Sequence, residues 1–200
     1  MARKLREKID APGARYHIVC RGIGEKRIFK SLQDYKKFLK ILRAAKKKFS
    51  FYLYSYNLLP NHIHLFIETG DISISEIMHY INTCYAIYFN RRYKQRGHLF
   101  QDRFFSSLIA TKFYHWSASA YIDLNALRAG LCKKPEDYKW SSYQFYFQKD
   151  YNDDLIDRDR FLHFGGEGLL EELRKDYIEF VEEEAKNPKR PKFIKSEKFV

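Results

Sequence analysis

Cysteine and proline are sparse in this chain, acidic side chains are outnumbered, and no long apolar run occurs; each shortage closes off a class of protein. The three cysteines, Cys20, Cys84 and Cys132, lie far apart and never adopt a CxxC spacing. Neither a disulfide framework nor a cysteine-rich zinc site is indicated, and reduced thiols are expected. No apolar stretch approaches the roughly 20 residues that cross a bilayer, and the opening MARKLREKIDAPGARYH lacks the apolar centre of a secretion signal. A cytoplasmic protein with no membrane partner is therefore expected. Asp plus Glu number 25 against 37 Lys plus Arg, a formal net charge of +12. That balance favours a polyanionic partner, nucleic acid ahead of an anionic lipid surface. Aromatics are abundant, with 16 Tyr and 17 Phe; they fill cores and also stack on the bases of single strands.

Periodicity orders the elements. Arg15 to Ile23 (RYHIVCRGI) alternates as a strand. From Ser31 to Phe49 the period lengthens: Leu32, Tyr35, Leu39, Leu42, Ala45 and Phe49 form one apolar stripe, with Ser31 and Asp34 spaced as a capping box. Phe51 to Leu59 reads as a second strand, Pro60 and Asn61 as a tight break, and His62 to Glu68 as a third strand antiparallel to it. A helix from about Ser73 to Tyr93, a strand over Arg103 to Ala110 and a helix from Thr111 to about Leu131 follow. The order β-α-β-β-α-β, then α, predicts an α+β, ferredoxin-like antiparallel sheet with helices on one face and the other face free for a ligand. Beyond Leu131 come a loop with a short aromatic segment, an amphipathic acidic helix over Gly168 to Ala185, and a basic tail, KNPKRPKFIKSEKFV, suited to nonspecific phosphate contacts.

Chemistry concentrates in LLPNHIHLF. Residues two apart in a strand project from the same face, so His62 and His64 point together while Ile63, Leu65 and Ile67 point toward the helices. Such a pair can chelate a metal, or it can be two satisfied polar residues on a sheet. The third helix supplies a second group. If Phe113, Trp116, Ala120, Leu124, Leu127 and Leu131 form its buried stripe, then Ser117, Tyr121, Asn125 and Arg128 form a polar one. This stripe presents a tyrosine one turn from an amide oxygen. Two imidazoles and an amide leave positions open for water and a phosphate oxygen, which suits a labile divalent ion, Mg2+ with Mn2+ as a substitute. On spacing alone the stripe can equally be an ordinary solvent-facing side.

Four segments in order, NHIHL (61–65), FNRRYKQRGHLFQDRF (89–104), YIDLNALRAGL (121–131) and PEDYKWSSY (135–143), resemble the signatures of the single-tyrosine HUH transposases, most of all the REP-associated tyrosine transposases. The resemblance runs from about Gly13 to Tyr146. It implies that His62 and His64 hold a divalent ion, with Ile63 as the bulky residue between them. By the same resemblance Tyr121 is the nucleophile and Asn125 the third ligand. The implied reaction is cleavage and rejoining of single-stranded DNA beside hairpins through a 5′-phosphotyrosine, and Arg91, Arg92, Arg96, Arg103 and Arg128 are candidate DNA contacts. Three positions depart from the family pattern: Asp123 where His is frequent, Ala126 where Pro is frequent and Asp102 where Gly is usual. Tuning rather than loss of activity is expected from them.

The domain division expected is 1–147 for the endonuclease and 148–200 for a helical extension with the basic tail. A nucleoid-associated enzyme follows, either a monomer or a homodimer that exchanges helices. Two other readings share the fold: a noncatalytic nucleic-acid binder that stacks bases on the sheet, as RNA-recognition domains do, and a hydrolase using the histidines and a water.

Overall fold

The computed structural model describes residues 11–111, 113–150 and 153–187, with Phe113 described by its backbone alone. Residues 1–10 of the N-terminal opening and the expected phosphate-binding tail from position 188 onward lie outside the described residues. Strands β1 (Arg15–Arg21), β2 (Tyr52–Leu58), β3 (His62–Glu68) and β4 (Phe105–Leu108) form one antiparallel sheet in the order β2-β3-β1-β4. Helices α1 (Leu32–Phe49) and α2 (Ile74–Tyr93) complete the ferredoxin-like βαββαβ unit. Both start where their sequence says they should. Asp34 Oδ2 accepts the Ser31 backbone N–H at 2.8 Å, and Ser73 Oγ accepts that of Glu76 at 3.1 Å. No described helix is long and apolar enough to cross a membrane.

Register then sorts the faces. Ile18 pairs with Leu65 and Cys20 with Ile63, while Leu53 pairs with Ile67 and Leu58 with Ile63. All are buried on the face that α1 and α2 cover. The opposite face carries His17, Val19 and Arg21 from β1 and His62, His64, Phe66 and Glu68 from β3. In β2 the register slips between Leu53 and Ser55. Tyr54 is the extra residue of a β-bulge, and its hydroxyl reaches Glu68 Oε2 at 2.8 Å on that same face.

The face expected to be free is roofed. After β4 come α3 (Phe113–Asp123), α4 (Asn125–Arg128), α5 (Tyr143–Phe147), α6 (Arg158–Leu162) and α7 (Leu170–Lys186). Helix α3 lies across β2 and β3, where Asn57 Nδ2 donates to the Ile122 carbonyl at 2.8 Å. From Ala118 to Leu124 every residue of that helix and its end is buried, because α7 packs against its outer side through Tyr177 and Phe180 on Trp116. The segment 153–187 joins the same apolar core, with Leu155, Phe161, Leu173, Tyr177 and Val181 all in contact with it. The single helix expected to run to Leu131 is two. Leu124, still right-handed at φ −82° and ψ −5°, is the turn between them, α4 adds one turn, and Gly130 at φ +69° ends it.

Candidate active site

Two strands and two helices bring the chemistry together. Along β3, His62 and His64 share a face, and their rings sit 5.0 Å apart between centroids at 76°. Helix α3 delivers Tyr121 from above: its ring meets His64 edge-on at 6.0 Å and His17 edge-on at 5.7 Å. Tyr121 is 7% exposed. The histidines it meets are those of its own chain.

Burial sets the protonation of the rings. Loss of solvent holds His17 and His62 down at about 4, and pushes His64 well below the ordinary histidine value. The positive charge of Arg21, paired across the sheet with His62, adds to the effect on His62 and His64. All three imidazoles are therefore neutral near pH 7, the form that can bind a metal. The hydrogen bonds distinguish their nitrogens. His62 Nδ1 lies 2.7 Å from Asn61 Oδ1, and His64 Nδ1 lies 2.9 Å from His17 Nε2. His64 Nε2 is buried with no hydrogen-bond partner in the protein. Buried polar nitrogens are rarely left so.

Asn125, one turn after Tyr121, donates its Nδ2 to the Tyr121 carbonyl at 2.7 Å. Its Oδ1 is the atom left to act as a ligand. Among the described residues no group of three or more His, Cys, Asp or Glu stands ready for a metal. Nitrogen, nitrogen and amide oxygen fit an exchangeable divalent ion better than a closed structural site. Arg128 is exposed and sets its guanidinium 5.5 Å above the Tyr121 ring.

The remaining arginines mark one end of the sheet. Arg21 and His62 pair at that end, and the loop before β4 runs beside them: Gln101 N–H donates to the Arg21 carbonyl at 2.9 Å and Ile23 N–H to the Leu99 carbonyl at 3.0 Å. Arg103 is exposed in that loop, Arg96 in the turn after α2, and Arg91 and Arg92 at the C-terminus of α2. Arg92 also pairs with the buried carboxylate of Asp34, 3.5 Å away.

With this geometry established, the lineage can be decided. Residues 11–125 match the family described as "Transposase IS200 like". The chain belongs to that family. No curated protein matches it. Among solved structures, a REP-associated tyrosine transposase bound to a REP hairpin is similar, with a TM-score of 0.63 at 18% identity over 84% of this chain and 99% of that one. It shares the fold. A putative transposase from Deinococcus radiodurans gives a TM-score of 0.42 at 14% identity, covering 69% of this chain and 98% of that one.

In this IS200-like transposase the sequence reading passed over two residues, His17 and Arg21. The signal was present in RYHIVCR, where alternation puts His17, Val19 and Arg21 on the face opposite Tyr16, Ile18 and Cys20. The ferredoxin-like strand order, which places β1 beside β3, was enough to set that face next to the histidine pair.

Proposed function

We propose that the protein is a divalent-metal-dependent endonuclease and strand transferase for single-stranded DNA, which cuts and rejoins beside hairpins through a 5′-phosphotyrosine on Tyr121. The observation that carries this reading is the convergence of the Tyr121 ring on a buried histidine whose Nε2 has no protein partner. The hairpin-bound state of the similar REP-associated enzyme supports a hairpin substrate.

His62, His64 and Asn125 would hold the ion, and Mg2+ or Mn2+ bound there supplies Lewis-acid polarisation of the scissile phosphate. The chain does the rest. The Tyr121 oxygen attacks phosphorus, the P–O3′ bond breaks, the leaving 3′ oxygen takes up a proton, and the phenol proton passes to solvent. A phenol with an ordinary pKa of about 10 is mostly protonated at neutral pH, so the ion or a nearby cation such as Arg128, whose guanidinium lies 5.5 Å from its ring, would assist its deprotonation. Arg21 offers a second positive charge to the nonbridging oxygens. The phosphodiester energy stays in the tyrosyl linkage, so a later 3′-OH attacks it and rejoins strands without ATP. Arg91, Arg92, Arg96 and Arg103, on the end of the molecule that carries His62, would contact flanking phosphates.

Base stacking across the sheet, the mode of an RNA-recognition domain, is disfavoured because α3 occupies that face. The deciding experiment incubates the protein with labelled single-stranded hairpin DNA and Mn2+ and looks for a protein–DNA adduct that survives boiling in detergent. The adduct should form with the wild type and vanish in Tyr121→Phe and in His64→Ala. Cleavage without an adduct would point to a water-using hydrolase, and binding alone to a noncatalytic module.

A further inference from the structure

Two imidazoles on neighbouring strands meet through single ring nitrogens. His17 stands opposite Phe66 and Val19 opposite His64, so His17 is the diagonal cross-strand neighbour of His64. Their rings are nearly coplanar, at 10°, with centroids 5.2 Å apart and His17 Nε2 2.9 Å from His64 Nδ1. A nitrogen contact that short between parallel rings with well-separated centroids is an edge-to-edge, in-plane hydrogen bond and not a face-to-face stack. Both rings are sealed off, with His17 at 0% and His64 at 2% exposure.

A neutral imidazole carries one N–H, so only two proton arrangements exist for the pair. If His17 Nε2–H donates, His64 Nε2 must carry its own hydrogen and aims it into the site, near the positive Arg21. If His64 Nδ1–H donates, His64 Nε2 keeps a bare lone pair there and His17 carries its hydrogen on Nδ1, which is buried without a hydrogen-bond partner in the protein. Its neighbour is built the same way: Asn61 Oδ1 accepts from His62 Nδ1, 2.7 Å away, and leaves His62 Nε2 as the lone-pair atom. Only the second arrangement gives β3 two matching nitrogens.

We propose that His17 is the positioning residue of this site: it accepts the Nδ1–H of His64, fixes that ring's tautomer and plane, and thereby presents the His64 Nε2 lone pair to a divalent cation. Ligating histidines usually hand their second N–H to a carboxylate, a backbone carbonyl or water. Here a third imidazole fills that role. The assignment rests on the reading of His62 and His64 as metal ligands, and one measurement keeps the two apart because it needs no metal.

The test is a two-bond 1H–15N correlation spectrum of the 15N-labelled full chain, metal-free near pH 7. His64 should be the Nδ1–H tautomer in the wild type and in His17→Gln, whose side-chain oxygen can still accept, and should lose that preference in His17→Phe. Mn2+ titration by calorimetry on the same three proteins should show a loss of about 10- to 100-fold in affinity for His17→Phe and recovery of most of it in His17→Gln. An Nε2–H tautomer on His64 in the wild type overturns the proposal, and so does wild-type Mn2+ affinity in a folded His17→Phe. Should the phenylalanine variant fail to fold, the wild-type tautomer still decides. A wild type with Nδ1–H on His64 that takes up no Mn2+ overturns the metal reading and leaves the His17 assignment standing.

Discussion

Replacing Asp123 by asparagine should change the pH dependence of stability more than the stability itself. This carboxyl, two residues after Tyr121, is 0% exposed. Tyr177 Oη donates to its Oδ2 at 2.9 Å, and Ser142 and Ser141 Oγ donate to its Oδ1 at 3.2 and 3.4 Å. Those bonds favour the charged form, yet burial outweighs them and pushes the pKa up to about 7 from an ordinary 3.8. The fold therefore holds a proton that the unfolded chain has released. Wild-type stability should be unaffected by this group below pH 4, fall as the pH rises from about 4 to about 7, and stay level above that. At 1.36 kcal/mol per pKa unit, the fall attributable to Asp123 is up to about 4 kcal/mol. Asparagine copies the neutral acid in shape and cannot ionise, so Asp123→Asn should lack that fall. Urea denaturation of both proteins at pH 4.5, 6 and 8 measures it, and the groups common to both cancel in the difference. Tyr177→Phe removes one bond to the carboxylate and should move the inflection to higher pH. A difference between wild type and Asp123→Asn that is constant across this range would refute the reasoning.

Glu68 has the opposite sign. Its buried carboxylate accepts hydrogen bonds from Arg15, Arg160 and Tyr54 and is held below the ordinary glutamate range, the cost of burial notwithstanding. Its contribution should be present at neutral pH and vanish as the pH falls through its folded value; Glu68→Gln should cost about 3 kcal/mol at pH 7 by urea denaturation. Gly165 faces the Trp116 ring so closely that an added Cβ would lie 2.0 Å from it. Gly165→Ala should push the Trp116 ring from its place against α7 and cost about 1–3 kcal/mol, read as a lowered Tm. Arg91→Ala should weaken hairpin DNA binding and reduce the salt slope by about one. Arg92→Ala should do the same and also lower Tm, because it loses the Asp34 pair.

The elements that follow a simple period were legible before any coordinates. Alternation in HIHLFIE fixed both the strand and the common face of His62 and His64, and the serine caps of α1 and α2 fell where expected. Helix α3 defeated the same logic. Its polar stripe of Ser117, Tyr121, Asn125 and Arg128 could equally read as a solvent side, but Tyr121 is buried between the sheet and α7, and so are His115, Ser119 and Asp123 on the same helix. Partners remote in sequence satisfy some of them, such as Tyr177 for Asp123, and no periodicity can reveal such partners. The proposed ligand pair and nucleophile came from motif order and the resemblance it carried, whereas His17 needed the strand order to be applied to a segment already identified as β1.

Helix α3 turns what would be a platform into a slot. His62 is partly exposed while His17 and His64 are sealed beneath the helix, so solvent meets these imidazoles at His62, where β3 begins. Under the proposed reading, a nucleic-acid backbone would reach the site past His62, between exposed arginines. A face covered in this way would favour flexible, unpaired nucleotides over a duplex.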